Sequence, residues 1–392
     1  MQRSHTLRTG PYRSATPAAA AVPARASRPV LSRATVPASP MAHLLDAGVL
    51  PQQQLMQAGK LSSHALTSQY LARIRSLCSI GARAYAGIEI NPDALKIALE
   101  MDRERQIHKV RGPLHGIPIV LRDNIATGDR MKTRTQAPSA TSASCDSFIA
   151  ARLRAAGAVI IGKSSLSQWA AVSVPHASAS WAGLTILAVG NEIDGSIVAP
   201  ASTCGLVAIK PTGRPAAAGH AGEPATAGPM APSVREAAWL LAAMSDAGRA
   251  EAPELDPRGL HGRRLGVARS LFGRCDATDG VIEQALQVLR EQGAELLELP
   301  SAPEPGAIDA LLQAHALDGL VGPTCDGVPL AHTAQPHITV PAGKVHGLPA
   351  GLSFIGAAHS EARLISMAFA YEQATLHRRT PALPSSIIEA LR

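Results

Sequence analysis

The chain has 392 residues, 46% hydrophobic but only 3% aromatic, so Leu, Ile and Val must fill a large core. Six of the 37 basic residues (Arg3, Arg8, Arg13, Arg25, Arg28, Arg33) stand in the acid-free first 42 positions. The body keeps 31 basic against 30 acidic residues, which argues against the charged stripe of a nucleic-acid-binding surface. Five scattered cysteines without a C-x-x-C pair exclude a disulfide framework, and no apolar run nears the roughly 18 residues of a membrane span.

Residues 1–42, rich in Ala, Pro, Ser and Arg, are expected to be a disordered leader or tail, although an acid-poor, Arg- and Ser-rich start is also how transit peptides look. The body, residues 43–392, is expected in the cytoplasm as one domain. Ser62 or Ser63 can cap a helix whose apolar face is Leu66, Tyr70, Leu71, Ile74 and Leu77. Asn91-Pro92-Asp93 predicts a helix start running to about His108. "GPLHGIP" then breaks the chain before a strand at Ile117–Leu121. Asp146 or Ser147 opens a helix that Gly157 stops, and "AVIIG" follows as a buried strand. Ser233 and Glu236 form a capping box. Asp279 is expected to start a helix that Gly293 ends before the strand "AELLEL". Further strands fall at "LDGLVGP", "HITVP" and "GLSFIG", and a last helix at Ser360–Ala374 turns Leu364, Ile365, Met367 and Ala368 inward. The stretch from Gly213 to Met230 reads as loop. This alternation defines an α/β fold with a mixed, mostly buried central sheet surrounded by helices.

Two stretches carry chemistry. "IVLRDNIA" is a buried strand that ends in Arg122, Asp123 and Asn124. "LTILAVG" is a second buried strand, and the tight polar turn "NEIDGS" after it presents Ser196 behind Gly195, whose backbone freedom permits such a turn. A turn of this kind can aim successive backbone N–H groups at one point, as an oxyanion hole requires. An ordinary loop serine after a strand is the plainer alternative.

Five segments in order make the body resemble the amidase signature family over nearly all of residues 43–385. They are "GPLHGIPIVLRDNI", "AARLRAAGAVIIGKSSLSQWA", "GNEIDGSIVAPASTCGLVAIKPT", "ATAGPMAPSVREAA" and "PHITVPAGKVHGLPAGLSFIG". The resemblance implies hydrolysis of a small carboxylic amide through a Ser–cis-Ser–Lys triad, with no cofactor, no metal and no nucleic acid. It assigns the nucleophile to Ser196 and the oxyanion hole to the backbone of Ile193, Asp194, Gly195 and Ser196. Oligomeric state stays open.

The sequence departs from the family at three points. The position of the family's basic lysine holds Arg122, whose guanidinium keeps its proton and accepts no hydrogen bond. The Gly/Ser-rich run before the nucleophile is absent. Counting back from Ser196 puts Ser173 near the bridging position, with Ser178 and Ser180 as alternatives, none of them in a glycine setting. Ala225 replaces a family acid. Two readings follow: an amidase working without its usual base, or an inactive pseudo-amidase serving as a binding module. Among the remaining candidates, His176 could substitute as base and His115 reads as a turn residue. Lys163 and Lys210 read as scaffold, and Cys204 as a packed thiol.

Overall fold

A computed structural model of the protein describes residues 44–79, 88–133, 141–142, 144–164, 187–191, 197–213, 226–245, 255–300, 307–324 and 334–379. The leader, residues 1–42, lies outside them.

The chain enters through α1 (Val49–Gln57) and α2 (Ser63–Ser79). Ser62 is the serine that caps α2, its Oγ accepting from the Ala65 N–H at 3.0 Å. Leu66, Tyr70, Leu71 and Ile74 are buried as their spacing predicts; the Leu77 side chain lies outside the described residues. β1 (Ile88–Ile90) leads to α3 (Ala94–Gln106). That helix begins later than the Asn-Pro-Asp signal suggests. Asn91 Oδ1 accepts from the Asp93 N–H at 2.9 Å, closing a turn of its own, and Nδ2 donates to the Ile160 carbonyl at 2.8 Å. The amide therefore does two jobs at once, its oxygen holding the N–H of the residue just before the helix and its NH2 group holding the strand that carries Ile160. At the far end His108 adopts φ 60°, so the helix stops at Gln106.

β2 (Pro118–Arg122), the short pair β3 (Lys132–Thr133) and β4 (Thr141–Ser142), α4 (Phe148–Ala155) and β5 (Val159–Ser164) follow. Ser147 caps α4 through the Ala150 N–H, and Gly157 ends it at φ 81°. β6 (Leu187–Asn191), α5 (Val198–Thr203), β7 (Val207–Lys210), β8 (Ala227–Ala231) and α6 (Val234–Met244) come next. The sequence reading put β8 in a loop. "AGPMA" has a strand propensity too weak to stand alone, and pairing on both sides, with β6 and β7, is what makes it a strand. β9 (Arg264–Ala268) is followed by α7 (Asp276–Glu291), which starts three residues before Asp279. The Asp279 carboxylate accepts from the Gly273 N–H at 2.7 Å and lies inside the first turn, near the positive end of the helix. β10 (Glu295–Leu299), α8 (Ile308–Ala314), β11 (Gly319–Pro323), β12 (His337–Val345), β13 (Leu348–Ile355) and α9 (Glu361–Thr375) complete the body.

Among the described residues, eleven strands form one sheet in the order β1-β5-β2-β6-β8-β7-β12-β13-β11-β9-β10. β5, β2 and β6 are mutually parallel, β11, β9 and β10 likewise, and the strands from β6 across to β11 alternate in direction. The sheet is therefore mixed, and its strands β2, β5 and β11 are buried throughout. No helix of the described residues is long and apolar enough to cross a membrane.

Candidate active site

Because β5, β2 and β6 are parallel, their carboxyl ends share one edge of the sheet, the edge where open α/β sheets place their ligands. Arg122 is the last residue of β2 and only 4% exposed; Asp123 beside it is 6% exposed. The turn that leaves the strand is closed by the Asp123 N–H to the Ser164 carbonyl (2.9 Å) and the Ile125 N–H to the Arg122 carbonyl (3.0 Å).

Register shows which way Arg122 points. Residues level with one another on paired strands face the same side. Val120 is level with Ala188, Ala188 with Met230, and Met230 with Ala208. Arg122, two residues past Val120, shares their face. That face is covered by α5: Ile197, Ala201 and Cys204 pack with Ala188, Leu206, Ala208 and Met230 into one apolar cluster. Ile197 is pressed against Gly228, where an added Cβ would overlap the Ile209 carbonyl oxygen and stand 3.2 Å from Ile197 Cδ1. Gly228 is level with Gly190 on β6, and two strand spacings, about 10 Å, separate β8 from β2. Arg122 and the start of α5 thus occupy the same edge and the same face. Gly228→Ala is expected to cost about 3 kcal/mol or more in urea unfolding, because its neighbour is backbone that cannot step aside.

Ser196 and the oxyanion residues Ile193, Asp194 and Gly195 lie outside the described residues, as do Ser173, Ser178, Ser180, His176 and Ala225. The described chain leaves that edge at Asn191 and resumes at Ile197, the residue after Ser196.

Lys163 offers itself as a replacement for the lost lysine, since burial pushes its ammonium down to about 8. Register rules it out. Lys163 is level with Leu121, so it faces away from Arg122, and its Nζ donates to Thr133 Oγ1 at 2.8 Å and to the Lys132 carbonyl at 3.3 Å. It pins the loop after β2 in place, in keeping with a scaffold role. A buried lysine with a lowered pKa destabilises the fold when charged, so its term is lost as pH falls through 8. Stability of the wild type relative to Lys163→Met should therefore rise between pH 8 and 10.5, by up to about 3 kcal/mol, in denaturant titrations.

His115 is more than a turn residue. It is fully buried, Nε2 donates to the Met101 carbonyl at 2.9 Å, and Nδ1 accepts from the Arg111 N–H at 3.4 Å. Burial holds its pKa below the ordinary histidine value, so it stays a neutral strut. Cys204 is packed and burial pushes its thiol up to about 12, which removes it as a nucleophile. Lys210 donates from Nζ to the Gln335 carbonyl at 2.6 Å.

The sequence reading missed a buried polar layer on the α5 face. His337 Nε2 and Ser353 Oγ are 2.7 Å apart, Thr324 Oγ1 lies 2.9 Å from that Oγ, and Thr339 Oγ1 is 2.7 Å beyond. Burial, with Lys210 level on β7, pushes the imidazole down to about 3, so it is neutral. Ser202 of α5 reaches the layer: a Cβ on Gly351 would come within 2.6 Å of its Oγ. The available signal was the period of two in "HIT" and "GLS", which puts the polar residues on one face and Ile338 and Leu352 on the other.

The described residues form a mixed eleven-stranded α/β sheet with a cationic strand end on the same edge and face as the start of a short helix. The family model described as Amidase matches residues 65–181 and 176–321, and the chain belongs to that family. A putative amidase of Arthroderma benhamiae is 34% identical over 281 residues, 58% of this chain and 47% of that protein. A probable amidase of Arabidopsis thaliana is 28% identical over 82% of this chain and 88% of its own length. The native peptide amidase of Stenotrophomonas maltophilia superposes with a TM-score of 0.74 at 31% identity, covering 86% of this chain and 98% of its own. The chain spans less than half the length of two of the curated relatives it matches, 47% and 40%.

Proposed function

We propose that the chain is an amidase-type serine hydrolase acting on small carboxylic amides, with Ser196 as nucleophile and no cofactor. The observation that carries this reading is the shared edge and face of Arg122 and Ile197, which sets the family's base position on the same side of the sheet as the residue that follows Ser196 in sequence. In this scheme Ser196 Oγ attacks the amide carbonyl carbon, and the backbone N–H groups of Ile193 to Ser196 hold the oxyanion. The C–N bond breaks with a proton delivered to the leaving amine, and water then opens the acyl-enzyme. Peptide amides are the first substrates to offer, given the 31% identity to a peptide amidase.

Arg122 supplies charge at this edge but no base. It favours bound anions and a developing oxyanion, and it leaves the Ser196 proton without an acceptor of the family's kind. The protein on this reading acylates slowly, drawing on oxyanion binding alone.

A second reading, an inactive pseudo-amidase that binds its ligand without cleaving it, is favoured by one observation: Lys163, the lysine on the neighbouring strand, faces away from Arg122. A fluorophosphonate probe with purified wild type and Ser196→Ala separates the two. Labelling of the wild type that disappears in Ser196→Ala supports the hydrolase. Labelling of neither, together with binding of an intact amide, supports the binding module.

A further inference from the structure

The end of α3 forms a projecting tip. Every residue from Gln106 to Arg111 is exposed, and two of them are aliphatic: Ile107 at 72% and Val110 at 48%. Ile107 is the most exposed large hydrophobic residue among those described. The tip is a hydrogen-bonded turn. The His108 N–H donates to the Arg105 carbonyl at 3.0 Å and the Lys109 N–H to the Glu104 carbonyl at 2.8 Å. Arg111 fixes the far side, with Nε on Glu104 at 2.7 Å and Nη1 on the Arg154 carbonyl at 2.9 Å. Arg154 lies at the end of α4, and the Gly116 N–H donates to the Gly157 carbonyl at 2.8 Å, so the tip adjoins the beginnings of β2 and β5. Arg122 stands at the other end of β2.

Cations surround the two aliphatic side chains. Lys109 stands between them with its ammonium well exposed, and Arg103, also exposed, precedes Ile107 by four residues on the same face of α3. Lys60 arrives from the next helix end. Arg105 Nη2 reaches Met56 Sδ at 3.6 Å, and Asp102 accepts from the Ser63 N–H at 2.6 Å, so the exposed run from Gln57 to Lys60 lies beside the tip. The nearby acids are engaged elsewhere. Asp102 holds the Ser63 and His64 N–H groups at the start of α2, and both oxygens of Glu104 accept from Arg111. Glu100, one turn before Glu104, adds its field to that of Glu104 on Arg111. Leu99 continues the outer stripe, eight residues before Ile107, and is exposed as well.

One exposed aliphatic residue is ordinary on a protein surface. Two on a single turn, ringed by cations, make a combined apolar and electrostatic feature. We infer that this tip docks reversibly on an anionic lipid surface. Ile107 and Val110 enter the boundary between headgroups and acyl chains, while Lys60, Arg103 and Lys109 meet the headgroup anions. A protein partner fits less well. Stable protein interfaces bury roughly 1,200–2,000 Å² in total, and two side chains projecting from a turn supply little of that. A bilayer gives way around a projecting side chain and presents anions on every side of it. Both components are needed, because short aliphatic groups hold weakly by themselves and exposed charges are screened by salt. Docking here leaves the edge that carries Arg122 turned away from the bilayer.

The test is co-sedimentation of the full chain with vesicles of phosphatidylcholine plus phosphatidylserine, and of phosphatidylcholine alone, at physiological salt. The expected result is partitioning at least about tenfold stronger onto the anionic vesicles. The six arginines of residues 1–42 are also attracted to such vesicles, so the deciding comparison keeps charge constant. Ile107→Ser/Val110→Ser should lose at least about tenfold in partitioning, with an unchanged melting temperature because both positions are exposed. Lys60→Gln/Arg103→Gln/Lys109→Gln should lose at least as much. Ile107→Trp should gain fluorescence quenching by brominated lipid that the wild type lacks. Equal partitioning of the Ser/Ser variant and the wild type overturns the inference, since charge alone then holds the protein. So does the absence of partitioning onto anionic vesicles, or equal partitioning onto both kinds. Dimerisation in sedimentation velocity that the Ser/Ser variant abolishes, without lipid binding, would assign the tip to a second copy of the chain instead.

Discussion

Arg122→Lys is expected to raise the rate at which a fluorophosphonate labels Ser196 by about 10²- to 10⁴-fold over wild type, the usual contribution of a positioned general base. Lysine fills nearly the same path along the end of β2 but ends in an amine that can lose its proton. Burial at this position, 4% exposed for the arginine, disfavours the ammonium and lowers its pKa. Labelling by the variant should therefore climb with pH as the amine is freed, whereas wild-type labelling should lack that step, since no guanidinium titrates there. Stopped-time labelling across pH, with Arg122→Lys/Ser196→Ala as control, measures it. A variant no faster than wild type would mean that more than the base is missing, and the altered run around Ser173 becomes the next suspect.

Glu236→Ala should be among the most destabilising single changes, about 3–5 kcal/mol in urea unfolding at pH 7. Glu236 is 5% exposed and ties three parts of the chain together. Oε1 accepts from the Val49 N–H at the start of α1, and Oε2 accepts from the Ser233 hydroxyl at 3.0 Å. The Arg378 guanidinium contributes an attractive charge. Alanine leaves a helix-start N–H without its acceptor and takes one of several counter-charges from the half-buried Arg378 guanidinium. Glu236→Gln keeps an acceptor for Val49 and should cost clearly less. Burial raises the Glu236 pKa, so the carboxyl's favourable term is complete at low pH and lost as pH rises through the folded value. The gap between Gln and wild type should accordingly narrow as pH rises from the ordinary carboxylate range through the folded value, and stay constant above it.

Much of this was legible from residues alone where the cause is local. Ser147 and Ser233 cap their helices through neighbours three residues on, and Gly157 and Gly293 stop theirs at positive φ. The apolar face of α2 and the inward residues of α9 follow from helical spacing. The misses share one feature. Asn91 holds the helix entry through Asp93, as its sequence position predicts, but its amide NH2 reaches Ile160, 69 residues away; the expected loop at β8 is made a strand by two partners. Glu236 was read as half of a capping box, which it is, but its second bond reaches back 187 residues to Val49. Long-range partners leave no periodic trace for a window of a dozen residues to detect.

The residue types and their order determined by themselves the α/β alternation, the likeness to amidases, and the replacement of a titratable base by a permanent cation. Those depend on side-chain chemistry and on contacts a few residues apart. Which face each group takes was decided only in three dimensions. Lys163 and Arg122 are neighbours on paired strands, yet the pleat turns them to opposite sides, and only the register between β2 and β5 says so. Strand pairing likewise puts Arg122, His337 and Ser353 on one face of the sheet, because side-chain direction in a sheet is a property of pairing and not of the strand's own letters.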